Sequence, residues 1–334
     1  MKERIFTIVV MCLAATTLFS QNVNESKAQS LLNLRNQMEQ ASDVKQKKEI
    51  IKAYAQTGEF LAMTEAARYL DDVELAKTAA QTVVAIAMNH PEYDGYNTRQ
   101  MLAKAAPYVG KGDRKAIMER MAKTPVEGFV SHFNGKDLTG WKGLVENPIA
   151  REKMTPVELA AKQVEADQRM REDWVVEDGL LAYVGHGYDN ICTQELYGDF
   201  EMYVDWKLDP KGAEPDAGIY LRGTPQVQIW DIARVNVGAQ VGSGGLYNNQ
   251  KNKAIPLCVA DNKLGEWNSF FIRMKGDRVT VYLNGILVVD DVVLENYWDR
   301  SRPIFPVEQI ELQAHGSKVY YRDIYIKRLG ACCK

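Results

Sequence analysis

Residues 268–290 read NSFFIRMKGDRVTVYLNGILVVD, and the fold is decided there. Three short runs, Asn268–Lys275, Arg278–Leu283 and Ile286–Asp290, are rich in β-branched and aromatic residues. Gly276-Asp277 and Asn284-Gly285 separate them. Asn-Gly is a strong hairpin signal, because a type I′ turn needs positive φ at both central residues. The stretch therefore predicts an antiparallel meander. The same signature spreads outward. Phe200–Leu208 alternates, with Phe200, Met202, Val204 and Trp206 on one side and Glu201, Tyr203, Asp205 and Lys207 on the other. Ile310–Ala314 and Val319–Lys327 read as a last hairpin around His315-Gly316-Ser317. Many short strands with glycine turns predict a mainly β sandwich rather than a parallel α/β sheet. One charged segment interrupts them. Thr155-Pro156-Val157-Glu158 is a capping box with proline at the first helical position, so 155–172 is expected to be a helical insertion. It serves as a lid or as a surface helix.

Upstream the composition changes. Residues 27–123 are rich in Ala, Leu, Lys, Gln and Glu, which favour helix. Val73, Ala76, Ala80, Val83, Val84 and Ala87 form one apolar stripe, which Asn89-His90-Pro91 stops. Ile50, Ile51, Tyr54 and Ala55 mark an earlier helix ending near Gly58. Ala66–Met88 resembles a HEAT-type helical pair, a helix ending at Tyr69-Leu70, an Asp71-Asp72 turn and a second helix, which suggests a small all-α, HEAT-like domain over 21–124. Nothing in it has catalytic spacing, so it reads as scaffold or as a protein-docking surface. A chain of 334 residues suits two domains of ~150 each. Lys2, Arg4 and the apolar run Ile5–Phe19 read as a signal peptide over 1–20, cut near Ser20-Gln21, which implies a periplasmic or secreted protein. No second apolar stretch reaches the ~20 residues a bilayer span needs. A net charge of −3 argues against nucleic acid as partner. Cys192, Cys258, Cys332 and Cys333 would remain after cleavage, spaced neither as a disulfide framework nor as a zinc ribbon. One disulfide is compatible with them. No cofactor motif is evident, although scattered Asp, Glu and His leave a divalent metal open.

Phe133-Asn134-Gly135-Lys136-Asp137-Leu138-Thr139-Gly140-Trp141 resembles the opening signature of the 3-keto-disaccharide hydrolase domain family. Further segments follow in the family's order: Trp174–Gly179, Gly198–Glu201, Gly218–Arg222, Gly265–Asn268, Leu283–Gly285, Ile310–Gly316 and Tyr321–Ile326. Together they cover about residues 126–329, within an expected domain at 125–330. The resemblance implies a concanavalin A-like jelly roll acting on glycosides oxidised at carbon 3. Many relatives carry Glu where this chain has Gln226.

Strand parity offers candidate site residues, because successive side chains point to opposite faces. The apolar parity should face the core. The polar parity leaves Glu201, Tyr203 and Asp205; Tyr220 and Arg222; Gln226, Gln228 and Trp230; and Glu311, Gln313 and His315. Asp231 follows on the third segment. Carboxylates, amides, an arginine, a histidine and aromatic rings suit a saccharide. Asp205, Arg222, Gln228 and His315 are expected to share one groove. On a 3-keto-glycoside, His315 or Asp205 would be the base, Arg222 the enolate stabiliser, and Glu201 or Glu311 the acid. Gln228, Trp230, Tyr220, Gln313, Asp231 and Tyr203 would bind substrate. The expected function is cleavage of 3-keto-disaccharides by elimination or hydration. The alternative is a lectin-like carbohydrate-binding module without turnover. A structural envelope protein is a third reading. An ordinary glucanase fits less well, since Glu201 and Asp205 lie four apart with no third acid in register.

Overall fold

The computed structural model describes residues 25–123, 127–184 and 187–330. The signal-peptide segment and Cys332-Cys333 lie outside these residues. Six helices come first: α1 (Lys27–Gln40), α2 (Val44–Thr57), α3 (Phe60–Ala67), α4 (Ala76–Asn89), α5 (Tyr96–Ala105) and α6 (Lys111–Lys123). Their starts are chemically specified. The Ser26 hydroxyl accepts from Gln29 N at 3.0 Å, and the Asp43 carboxylate accepts from Gln46 N at 2.9 Å, each satisfying an otherwise orphan donor. As expected, α4 ends just before His90-Pro91. The apolar stripe needs one correction. Val73 lies in the turn before α4 and is 97% exposed, while Ala76, Ala80, Val83, Val84 and Ala87 are buried. Among the described residues, no helix is long and apolar enough to cross a membrane.

The rest of the chain is β1 (Val130–Ser131), β2 (Trp141–Gly143), α7 (Pro148–Arg151), α8 (Pro156–Asp173), β3 (Trp174–Glu177), β4 (Leu180–Tyr183), β5 (Ile191–Thr193), β6 (Phe200–Leu208), β7 (Asp216–Leu221), β8 (Thr224–Trp230), β9 (Asn268–Lys275), β10 (Arg278–Leu283), β11 (Ile286–Val293), β12 (Glu311–Leu312) and β13 (Val319–Arg328). The strands form two antiparallel sheets. One has eight strands, ordered β11-β10-β9-β6-β13-β4-β3, with β1 also paired to β13. The other has five, ordered β2-β5-β12-β7-β8. Between them lies one apolar core. The larger sheet contributes Met202, Val204, Trp206, Phe270, Ile272 and Tyr321, and the smaller contributes Ile191, Ile219, Leu221, Val227, Ile229 and Leu312. This is the expected β-sandwich. The last hairpin is not: β12 pairs with β5 and β7, whereas β13 pairs with β4 and β6. The 313–318 link therefore crosses from one sheet to the other.

Both remaining faces are partly covered. Helix α8 lies beside β2, where Gln163 Nε2 donates to Gly143 O at 2.8 Å and Asp167 accepts from Gly143 N at 2.9 Å. Its capping box is formed as expected, with Thr155 Oγ1 accepting from Glu158 N and Glu158 accepting from Thr155 N. On the opposite side, α1 and α3 rest on the outer face of the eight-stranded sheet. Phe60 packs against Tyr203, Phe129 and Tyr325 with ring centroids 5.7, 4.7 and 5.2 Å away. Arg35 meets Asp205 at 2.5 Å, Asp323 at 3.2 Å and Glu65 at 3.3 Å. The helices thus spend this face on their own sandwich.

Candidate functional site

The outer face of the five-stranded sheet carries the densest group of polar side chains that the two-residue repeat brings together. Ile191, Ala217, Ile219, Val227, Ile229, Leu312 and Ala314 point into the core. Their neighbours Asn190, Asp216, Gly218, Tyr220, Gln226, Gln228, Glu311, Gln313 and His315 therefore face outward. Register sets them in rows. Glu311 stands opposite Cys192 on one side and Tyr220 on the other. In the next row, Gln313 N donates to Gly218 O at 2.9 Å, and Gly218 stands opposite Gln228.

An amide ladder crosses this surface. Gln226 Nε2 donates to Gln228 Oε1 at 2.5 Å, and Gln228 Nε2 donates to Asp216 Oδ1 at 2.7 Å. Arg234 closes the ladder, 3.4 Å from Asp216. Gly218 leaves room for it: a Cβ there would stand 2.9 Å from both Gln226 Cδ and Gln313 Oε1. Gln313 Oε1 and His315 Nδ1 are buried without a hydrogen-bond partner in the protein. Such atoms are costly unless a ligand or water completes them. The Tyr188 ring stands edge-on to His315, with centroids 5.7 Å apart.

Glu311 dominates the electrostatics. It is 1% exposed, and Asn190 Nδ2 donates to Oε2 at 3.3 Å. Burial pushes its carboxyl up to about 7, and Glu308 adds to this, although Arg151 and the Asn190 hydrogen bond pull the other way. A carboxyl in low dielectric favours its neutral form. Burial also raises the neighbouring Tyr220 phenol, with the Glu311 charge second. Asp216 is likewise raised by burial, against the pull of His315, the Gln228 hydrogen bond and Arg234. The face thus holds two carboxyls that burial makes more basic than free ones, one of them with a histidine close by. Among the described residues, no group of three or more His, Cys, Asp or Glu side chains is spaced to hold a metal. Cys192 and Cys258 are free thiols.

The expected groove gathers some sequence-predicted residues and not others. Glu311, Tyr220, Gln228, Gln313 and His315 share this face. Asp205 does not: it lies on β6, in the other sheet, fully buried beneath α1 and paired with Arg35 and Arg322. Tyr203 lies under Phe60, and Glu201 pairs with Arg273 at 2.7 Å on the same outer face of the larger sheet. Arg222 is not a strand residue. With φ of 50° it forms a tight turn with Gly223, at 67°, and its guanidinium donates to the Pro306 and Gly276 carbonyls. Trp230 has the right parity, but its indole donates to Gly242 O at 2.9 Å and packs on Tyr247. Asp231 caps its own turn through Ala233 N. Sequence reasoning missed Asp216 and Asn190. Extending the β7 alternation two residues back from Gly218 reaches Asp216. Nothing local marks the three-residue β5 as a strand, so Asn190 had no signal.

The model of the 3-keto-alpha-glucoside-1,2-lyase-like domain family matches residues 128–327. No curated protein matches the chain. Among solved structures, a presumptive glycosyl hydrolase from Parabacteroides distasonis is 24% identical over 61% of this chain and 94% of its own, with a TM-score of 0.41. A second from the same organism is also 24% identical, over 47% of this chain and 91% of its own, with a TM-score of 0.39. A carbohydrate-binding module from Bacillus subtilis is 12% identical over 57% of this chain and 96% of its own, with a TM-score of 0.32.

Proposed function

Because the chain belongs to the 3-keto-alpha-glucoside-1,2-lyase-like domain family, we propose that its five-stranded face binds a 3-keto-glycoside and opens the glycosidic bond by proton transfer. The observation that carries this reading is Glu311, a buried carboxyl pushed up to about 7 in the middle of a hydrogen-bonding surface. A general base works best when its pKa lies near the working pH. The ketone at carbon 3 acidifies the hydrogen on carbon 2. Ionised Glu311 takes that proton, and the C2–H electron pair becomes the C1=C2 bond. The C1–O bond breaks toward the glycosidic oxygen, which takes a proton from His315, seated beside Asp216. Adding water across the new double bond completes a net hydrolysis. Gln226, Gln228 and Gln313 hold ring hydroxyls, and the unpartnered Gln313 Oε1 accepts one. The charged start and apolar run of residues 1–20 support export, so the glycan is met outside the cytoplasm.

Product mass after incubation with a 3-keto-disaccharide tests this. Wild type should release an unsaturated or hydrated sugar, and Glu311→Gln should slow release about 10²–10⁴-fold. The wild-type rate should climb with pH through about 7, and Glu311→Gln should lack that limb. Cleavage of native disaccharide alone, or an unchanged rate in Glu311→Gln, sinks the proposal. A binding-only reading is favoured by the amide ladder, since Gln226 and Gln228 hold hydroxyls but move no proton; it expects saturable sugar binding and no product.

A further inference from the structure

The opposite side of the sandwich holds a cavity of about 750 Å³ that the proposed chemistry does not use. Its floor is the outer face of the eight-stranded sheet, and α1 and the segment after α3 supply one wall through Glu39 and Arg68. The Phe133–Gly135 and Asp178–Leu180 segments supply another. Its size lies within the ~300–1,000 Å³ typical of small-molecule sites.

The charges on the floor are unusual. Tyr320 stands opposite Lys207, and Arg322 opposite Asp205, so Lys207 and Arg322 are diagonal neighbours. Both cations lie against one indole, Lys207 Nζ 4.8 Å and Arg322 Cζ 4.0 Å from the Trp267 ring centroid. Lys207 also lies 5.0 Å from the Tyr320 ring. Its described contacts with other charged or aromatic groups are these ring faces, and no carboxylate stands within ion-pair distance of it among the described residues. Burial lowers its ammonium, and the charge of Arg322 lowers it further, although the more distant Glu39 and Asp209 carboxylates pull the other way. The neighbouring carboxylates are already engaged. Asp323 meets Arg35 and Arg68, and Glu39 meets Arg322. Asp178 sits exposed on the far rim, in the β3–β4 turn. Arg322 is already balanced by Asp205 at 3.4 Å, Glu39 at 3.5 Å and Asp323 at 3.8 Å, which leaves Lys207 as the floor's partly desolvated cation without an ion pair among the described residues, and an anion would complete it.

We propose that this cavity is a second ligand site, separate from the Glu311 face, and that it takes an acidic saccharide whose carboxylate sits by Lys207 and Arg322. The volume far exceeds what an inorganic anion fills. On the rim, Asn134 Oδ1 accepts from Lys136 N and Asp137 N and its Nδ2 donates to Asp137, so the second Nδ2 hydrogen and the exposed Asp178 carboxylate are what the rim offers to hydroxyls. The proposal is independent of the chemistry assigned to Glu311.

Calorimetric titration of the full chain with glucuronate, glucose and inorganic phosphate tests it. Glucuronate should bind at least tenfold more tightly than either of the others. Affinity should weaken as salt rises. Lys207→Met keeps the aliphatic stem over Trp267 and should lower glucuronate affinity tenfold or more while the melting temperature holds. Asn134→Ala provides a second, surface-exposed test and should weaken glucuronate severalfold. Glu311→Gln should leave the titration unchanged, which separates this site from the other face. Equal binding of glucose or phosphate, a titration insensitive to both Lys207→Met and Asn134→Ala, or loss of binding in Glu311→Gln would overturn the proposal.

Discussion

Glu311 shows at the residue scale how position sets chemistry. On a solvated strand its carboxyl would titrate near 4.3. Beneath Asn190 and beside Tyr220 it titrates at about 7. The folded chain therefore holds this proton more tightly than the unfolded chain does. Between about pH 4 and 7 the folded state binds more protons, so stability falls as pH climbs through that window and stays lowered above it. The cost of ionising this group is on the order of 3 kcal/mol. Glu311→Gln removes the ionisation and keeps the shape. Urea melts should show the variant more stable than wild type at pH 8 by up to about 3 kcal/mol, with the gap closing toward pH 5. A gap constant across that range would mean that Glu311 is not a buried acid. Parity alone placed Glu311, Tyr220, Gln228 and Gln313 on one surface, because alternation is a local rule. It failed at Arg222, where a left-handed turn ends the alternation.

Among the elements, legibility depended on what sets the boundary. The meander 268–290 could be read because its turns lie in the sequence as Gly-Asp and Asn-Gly. Helix α8 could be read because its capping box is local. Thr155→Ala removes one half of that box while leaving the helix otherwise intact, and should cost about 1 kcal/mol of stability by chemical denaturation. No change would mean that packing beside β2 alone fixes the start of α8. Which sheet a strand joins is a different matter. β12 and β13 follow each other closely yet pair in different sheets. No short-range signal reports that step, because the pairing partners are remote in sequence, as Glu311 with Tyr220 and with Cys192 shows. The same blindness put Asp205 and Gln228 on one imagined surface when the sandwich core lies between them.

For the molecule as a whole, the helices and the sandwich share a buried electrostatic joint. Arg35 contacts Asp205, Asp323 and Glu65, and Arg68 and Arg322 join them. Removing one partner of such a group strands the others, at a cost of about 3–5 kcal/mol. Arg35→Ala should lower stability by that amount, whereas a loss under 1 kcal/mol would show the joint to be mechanically idle. Acid probes it differently. Burial would raise Asp323, but Arg35, Arg68 and Arg322 together hold it down at about 2. Its contribution is full above about pH 4 and disappears as pH falls through 2. The aromatic part of the joint, with Phe60 against Tyr203 and Tyr325, does not depend on acid. It has a practical outcome for anyone trimming the gene to the family-matching portion. Such a fragment would present Tyr203, Phe271 and Tyr325 as a bare greasy patch, and self-association would be its default behaviour until those three rings were exchanged for hydrophilic ones.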